Sequence, residues 1–167
     1  MVSIGCGPAV IEETLYQIRN DLTVFTLDKN KEMLSFVPSY LHPIQADAEK
    51  IPIKSAIADI LICITSLEFM SNPKQSLHEI YRIIKPNGIF LALLLNPDST
   101  YVKQKISEGK SYIGRNLQQK THHVIISTIT RLFNQYESKV DLYIENNKIK
   151  EESSPNNARL LIMKAIK

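Results

Sequence analysis

Several features are scarce in this chain, and each scarcity removes a class of explanation. Only two cysteines, Cys6 and Cys63, occur in 167 residues. That is too few for a disulfide framework, so a reducing compartment is expected. Net charge is small, +3 at pH 7, and bulk electrostatics make no demand for a polyanionic partner. Long apolar runs are missing: the longest, residues 57–64 and 89–95, are far too short to cross a bilayer. No secretory leader is expected, because Met1 runs directly into a short apolar segment and then glycines. Internal repeats and low-complexity tracts are absent from the sequence. What remains, 44% apolar and 22% charged, is the composition of an ordinary globular protein. The length predicts one domain with a real core, soluble and cytoplasmic.

Short apolar runs alternate with segments of helical period through the first hundred residues, which predicts an α/β protein with a parallel sheet covered on both faces. Strands are expected at 2–4, 22–27, 43–46, 59–64 and 89–95. The run at 59–64 is continuously apolar, as a central parallel strand requires. A helix over 9–19 would gather Val10, Ile11, Thr14, Leu15 and Ile18 on one face. Asn30 is placed to cap a second helix, which Pro38 closes. A third runs from Pro73 to Ile84 and is stopped by Lys85-Pro-Asn-Gly88. Beyond it, Asn96-Pro97-Asp98 starts another helix, and the polar stretch 108–121 reads as a mobile connection or lid. A helix is expected over 124–133. Two closing strands, 136–145 and 159–166, are joined by a polar turn over 146–157 and predict an antiparallel hairpin at one edge. The first 95 residues thus form one half and residues 96–167 the other.

The chemistry is concentrated where strands end. Val2-Ser-Ile4 stops at Gly5-Cys6-Gly7, and the next apolar run ends in Asp28. Glycines between a strand and a helix let backbone approach a ligand closely, and a carboxylate at the neighbouring strand tip can grip two ribose hydroxyls. A nucleoside-bearing ligand follows. A dinucleotide fingerprint would need glycine or alanine at the sixth position of the loop, where Val10 stands.

Five segments in order carry a more specific likeness: Val2-Ser-Ile-Gly-Cys-Gly-Pro-Ala9, Leu27-Asp28, Gln45-Ala-Asp-Ala-Glu-Lys-Ile-Pro52, Ala58 to Met70, and His78-Glu-Ile-Tyr-Arg-Ile-Ile-Lys-Pro-Asn-Gly88. Together they resemble the class I S-adenosylmethionine-dependent methyltransferases, over roughly residues 1–95 and closest to the small-molecule type. The resemblance implies a Rossmann-like, doubly wound, seven-stranded sheet of order 3-2-1-4-5-7-6 with strand 7 antiparallel. It implies S-adenosylmethionine as cofactor and a small-molecule acceptor. Gly5, Cys6 and Gly7 would lie beneath the methionine part, Asp28 would hold the ribose diol with Lys29 beside it, and Asp47 and Ala48 would meet the adenine. Ile64 and Thr65 would wall the place where methyl group and acceptor meet. Glu68, just past that strand, is the candidate general base.

Each of these residues also has a plainer role open to it. Asp28 can cap the helix that begins near Asn30, Asp47 can be a turn residue, and Glu68 can be a solvated loop acid. Cys6 can simply pack. His122-His123 lacks cysteine partners within fifty residues, so no metal site is expected. Lys103, Lys105, Lys110, Arg115 and Lys120 form a basic stretch with few interleaved aromatics, and nucleic acid is not the expected partner. The chain also departs from the family pattern. Ser3 stands where an acid is usual, Ala9 replaces a third glycine, and the helices that ordinarily precede strand one and roof the cofactor are expected to be absent. Those departures leave a second possibility, a catalytically inactive methyltransferase-fold binding or assembly module. They also predict a homo-oligomer, or a partner covering the cleft.

Overall fold

The computed structural model describes residues 1–117, 119–145, 148–151 and 154–167. Strand β1 (Val2–Ile4) is followed by helix α1 (Val10–Ile18), β2 (Phe25–Asp28), α2 (Lys31–Leu34), β3 (Pro43–Gln45) and β4 (Ala58–Ile64). Helix α3 (Pro73–Ile83) leads into β5 (Ile84–Leu95), and three helices come next: α4 (Thr100–Glu108), α5 (Tyr112–Asn116) and α6 (Gln119–Leu132). Strands β6 (Gln135–Glu145), β7 (Lys148–Lys150) and β8 (Ala158–Ile166) close the fold.

One Rossmann-like sheet collects all eight strands in the order β3-β2-β1-β4-β5-β8-β6-β7. The first five in that row are mutually parallel, and β8 runs antiparallel between β5 and β6. The expected order is present with one addition. The stretch read as a polar turn contains β7, whose three residues pair with β6 from Tyr143↔Lys150 to Glu145↔Lys148. Residues 146, 147, 152 and 153 of that expected turn, and residue 118 of the expected lid, lie outside the described residues.

Capping and packing explain most helices. Asn72 accepts from the Gln75 N–H at 3.1 Å, Pro73 opens α3, and Ser76, Leu77, Ile80 and Ile83 turn inward. The connection expected to be mobile is instead largely helical. Ser111 caps α5 there, its side chain accepting the Gly114 N–H at 3.1 Å, so a local hydrogen bond supplies what low hydrophobicity withheld; α4, the helix expected after Asp98, is capped by Ser99 in the same way. Helix α6 starts five residues before the expected 124, and this brings His122 into the fold. One core joins both halves, from Val2 and Leu61 to Ile125, Phe133 and Ala165. Within it Phe133 stacks on Phe90 and meets the ring of Tyr81 edge-on.

Helix α1 departs from the expected orientation. Its apolar stripe faces outward, with Val10 63% and Ile18 73% exposed, while Glu12 is 3% exposed. The cause is the glycine loop, which delivers the helix with Ala9 and Glu12 against the sheet and leaves the stripe uncovered. Among the described residues, no helix is long and apolar enough to cross a membrane.

Candidate functional site

The loop after β1 is held by β2. Both the Gly5 and Cys6 N–H groups donate to the Leu27 carbonyl, at 2.8 and 3.1 Å. Gly5 has φ +67°, and a Cβ there would lie 2.5 Å from the Ser66 Cβ, so glycine is required on two counts. Ser66 in turn donates to the Ile4 carbonyl at 3.1 Å and contacts the Cys63 sulfur at 2.9 Å, which locks the tips of β1 and β4 together. Ala9, in the place of a third glycine, takes the left-handed conformation anyway, at φ 56°.

Asp28 binds the loop through its side chain. The Gly7 N–H donates to its Oδ2 and the Asn30 N–H to its Oδ1, both at 2.8 Å. Asn30, not Asp28, caps α2, by accepting from Glu32 N–H. Asp47 sits past the neighbouring β3, where Lys29 pairs with its Oδ2 at 2.8 Å and Glu49 N–H donates to its Oδ1 at 3.0 Å. The Lys29 hydrogen bond, aided by that backbone donor, holds the Asp47 carboxyl below the usual range.

These groups open onto a cleft of about 510 Å³, a size that suits a small organic ligand. Gly5, Asp28, Lys29, Asp47, Ala48 and Thr65 line it. A second crevice of about 290 Å³ shares Gly5 and Thr65 with the first and adds Cys6, Gly7 and Ile64. All the expected cofactor residues therefore border one or other of two neighbouring spaces. Thr65 stands between them with φ 44°, a conformation that a β-branched residue adopts only under local constraint. The donor set fits an adenosine group. Asp28 and Asp47 offer acceptors to hydroxyl and amino donors, each carboxylate retaining lone pairs beyond those already used, and Ile4, Ala46 and Met70 supply apolar wall.

Glu68, expected at the cleft or in solvent, is in neither place. It is 2% exposed, and its Oε1 accepts from the Leu95 N–H at 2.8 Å. Its Oε2 is buried without a partner among the described residues, and burial pushes the carboxyl up to about 7. On the other side of Leu95, His122 Nε2 bonds the Leu95 carbonyl at 2.8 Å, with Nδ1 buried and without a partner among the described residues. Burial lowers the His122 pKa. Leu95 itself lines the larger cleft, so two buried titratable groups grip one residue of its wall. The thiols are quiet: burial, then the nearby Glu12 and Asp28, pushes Cys6 up to about 12, and burial does the same to Cys63. Among the described residues no group of His, Cys, Asp and Glu could hold a metal ion.

Sequence reasoning missed part of the wall. Phe69 and Met70 follow β4, and Tyr112 and Ile113 come from α5, with the Phe69 and Tyr112 rings 5.0 Å apart. The lid reading placed the last two in the right segment but gave no signal for which residues face inward. Glu12 was missed as well. It lies off the apolar stripe of α1, where a charged residue is ordinarily taken to be in water.

Comparison with known proteins gives the family and the fold. The methyltransferase domain family profile matches residues 2–92, and the chain belongs to that family. It is 29% identical over 102 residues to a malonyl-[acyl-carrier protein] O-methyltransferase of Enterobacter lignolyticus, covering 59% of this chain and 40% of the relative. To a ubiquinone biosynthesis O-methyltransferase of Salmonella arizonae it is 24% identical over 135 residues, covering 74% and 53%. The chain thus spans about half the length of the curated relatives it matches. A SAM-dependent methyltransferase from Archaeoglobus fulgidus shares the fold with a TM-score of 0.77 at 16% identity, over 99% of this chain and 85% of that one.

Proposed function

We propose that this chain binds S-adenosylmethionine and supports methyl transfer to a small-molecule acceptor. The observation that carries this is the pair of carboxylates, Asp28 and Asp47, at adjacent strand ends of one cleft, with the glycine loop bonded directly to Asp28. Asp28 would take the ribose hydroxyls, Asp47 with Lys29 the adenine edge beside Ala48, and the Gly5–Gly7 turn and the Ile64–Thr65 corner the remainder. S-adenosylmethionine, when bound, supplies a methyl group already activated by its sulfonium, so the residues need chiefly to align the acceptor. Phe69, Tyr112 and Ile113 form an apolar approach to Thr65 and Leu95, suited to an acceptor that carries a hydroxyl or amine on an apolar body. Glu68 acts through Leu95 as a positioning residue, because its carboxyl is not part of the cleft wall.

The free thiols support a reducing, cytoplasmic setting. The uncovered stripe of α1 supports association with a second copy or with a partner; a well-behaved monomer in concentrated sedimentation runs would remove that element. Calorimetric titration with S-adenosylhomocysteine tests the main proposal. Micromolar binding, weakened by Asp28→Ala, is the expected outcome. Absence of binding at millimolar ligand would overturn it and leave a methyltransferase-fold binding module.

A further inference from the structure

We infer that Glu12 is the residue that recognises the ammonium group of the cofactor's amino-acid end, a role resting on the S-adenosylmethionine assignment above. The family resemblance places an acid on strand one, and this chain has Ser3 there. The structure brings a carboxylate to Ser3 from another element, helix α1. Ser3 Oγ donates to Glu12 Oε1 at 2.5 Å, and both residues are almost wholly buried, 1% and 3% exposed.

Two observations point to a cationic ligand. Glu12 has no ion-pair partner among the described residues, and no hydrogen bond there reaches its Oε2. A carboxylate so enclosed, with one neutral donor, is poorly compensated and gains from any cation that reaches it. It also lines the smaller crevice, together with Gly5, Gly7 and Thr65. That crevice shares Gly5 and Thr65 with the nucleoside-sized cleft. A ligand with its adenosine in the larger space therefore has its other end directed toward Glu12. An amino acid's ammonium is the cation such a ligand carries there, and it can donate to the free oxygen. Charge-assisted pairs of this kind are the stronger hydrogen bonds.

A four-way titration tests this. The wild-type chain and Glu12→Gln are each titrated with S-adenosylhomocysteine and with its desamino analogue, in which hydrogen replaces the amino group. Expected is a loss on the order of 10- to 100-fold for S-adenosylhomocysteine on Glu12→Gln, with little change for the desamino compound. Equal weakening of both ligands would overturn the inference, because Glu12 would then only shape the loop. If Glu12→Gln does not fold, the wild type still decides: a desamino analogue that binds as tightly as S-adenosylhomocysteine overturns it. Neither ligand binding, nor 5′-methylthioadenosine, would bring down the parent assignment and this one with it.

Discussion

The Gly7 N–H and the Asp28 Oδ2 are 2.8 Å apart, so the carboxylate assigned to the cofactor also fixes the turn it faces. Asp28→Ala should therefore weaken S-adenosylhomocysteine by about 1–3 kcal/mol and loosen the loop together. Asp28→Asn keeps one acceptor for Gly7 and should lose less. Calorimetry for binding, with amide exchange at Gly7 and Asn30 for the loop, separates the two contributions; an unchanged affinity in Asp28→Ala would remove Asp28 from the site.

Glu68 should make stability depend on pH. Its carboxyl lies near 7 when folded against an ordinary 4.5, so between those values the folded state binds the extra proton. Its contribution is complete below about pH 4.5 and is lost as pH rises toward 7, a change of ~3 kcal/mol at most. His122, lowered by burial, has the opposite sign: its contribution is present above the unfolded value and is lost on acidification. Denaturant titrations of wild type and Glu68→Gln from pH 4.5 to 8 cancel His122 in the difference. The wild type should lose ground to the variant as pH rises, and a flat difference would contradict the burial of this group.

Ala9 holds φ 56°, a region that costs an L-residue about 1–2 kcal/mol and glycine little. After the extra chain entropy of glycine, Ala9→Gly should be neutral to stabilising by up to about 1 kcal/mol. Ala9→Val should destabilise by at least about 2 kcal/mol, since the site is fully buried. Thermal melts of the two variants give the comparison directly.

Arg82 should matter more for stability than its place on α3 suggests. Its guanidinium holds both Glu79 oxygens at 2.8 Å and donates to the carbonyls of Ile51 and Ile53 at 3.0 and 2.8 Å. Glu79 also accepts from Ile51 N–H. Together they clamp the segment that follows the Asp47 loop. Arg82→Ala should cost on the order of 2–3 kcal/mol, and Arg82→Lys should recover little of it, lacking the planar fork. Denaturant midpoints measure both.

The parallel half was legible because its signals are local. Apolar runs ending at Gly5, Asp28 and Ile64 announce strand tips, and those tips meet at the cleft. Where tertiary packing decides, the sequence was a poorer guide. The stripe Val10–Ile11–Leu15–Ile18 has the period of a buried face, yet the loop geometry at Ala9 turns Glu12 inward instead. Glu68 follows β4 in a stretch that reads as a loop, and only the fold shows it buried with the Leu95 N–H bonded to its carboxyl. The polar helix capped by Ser111 read as an irregular connection because a side-chain cap, not apolar periodicity, starts it. β7 escaped notice because three residues carry too little pattern to distinguish a strand from a turn.

The placement of β8 between β5 and β6 governs the order of assembly during synthesis. Until residues 158–166 arrive, β5 has an open flank and the β6–β7 pair is not yet joined to the rest of the sheet. The nascent protein must wait with a long apolar border unpaired, the kind of exposure that invites aggregation and recruits chaperones. Ribosome stalling or chaperone depletion late in translation should therefore harm this protein more than interruption after β4.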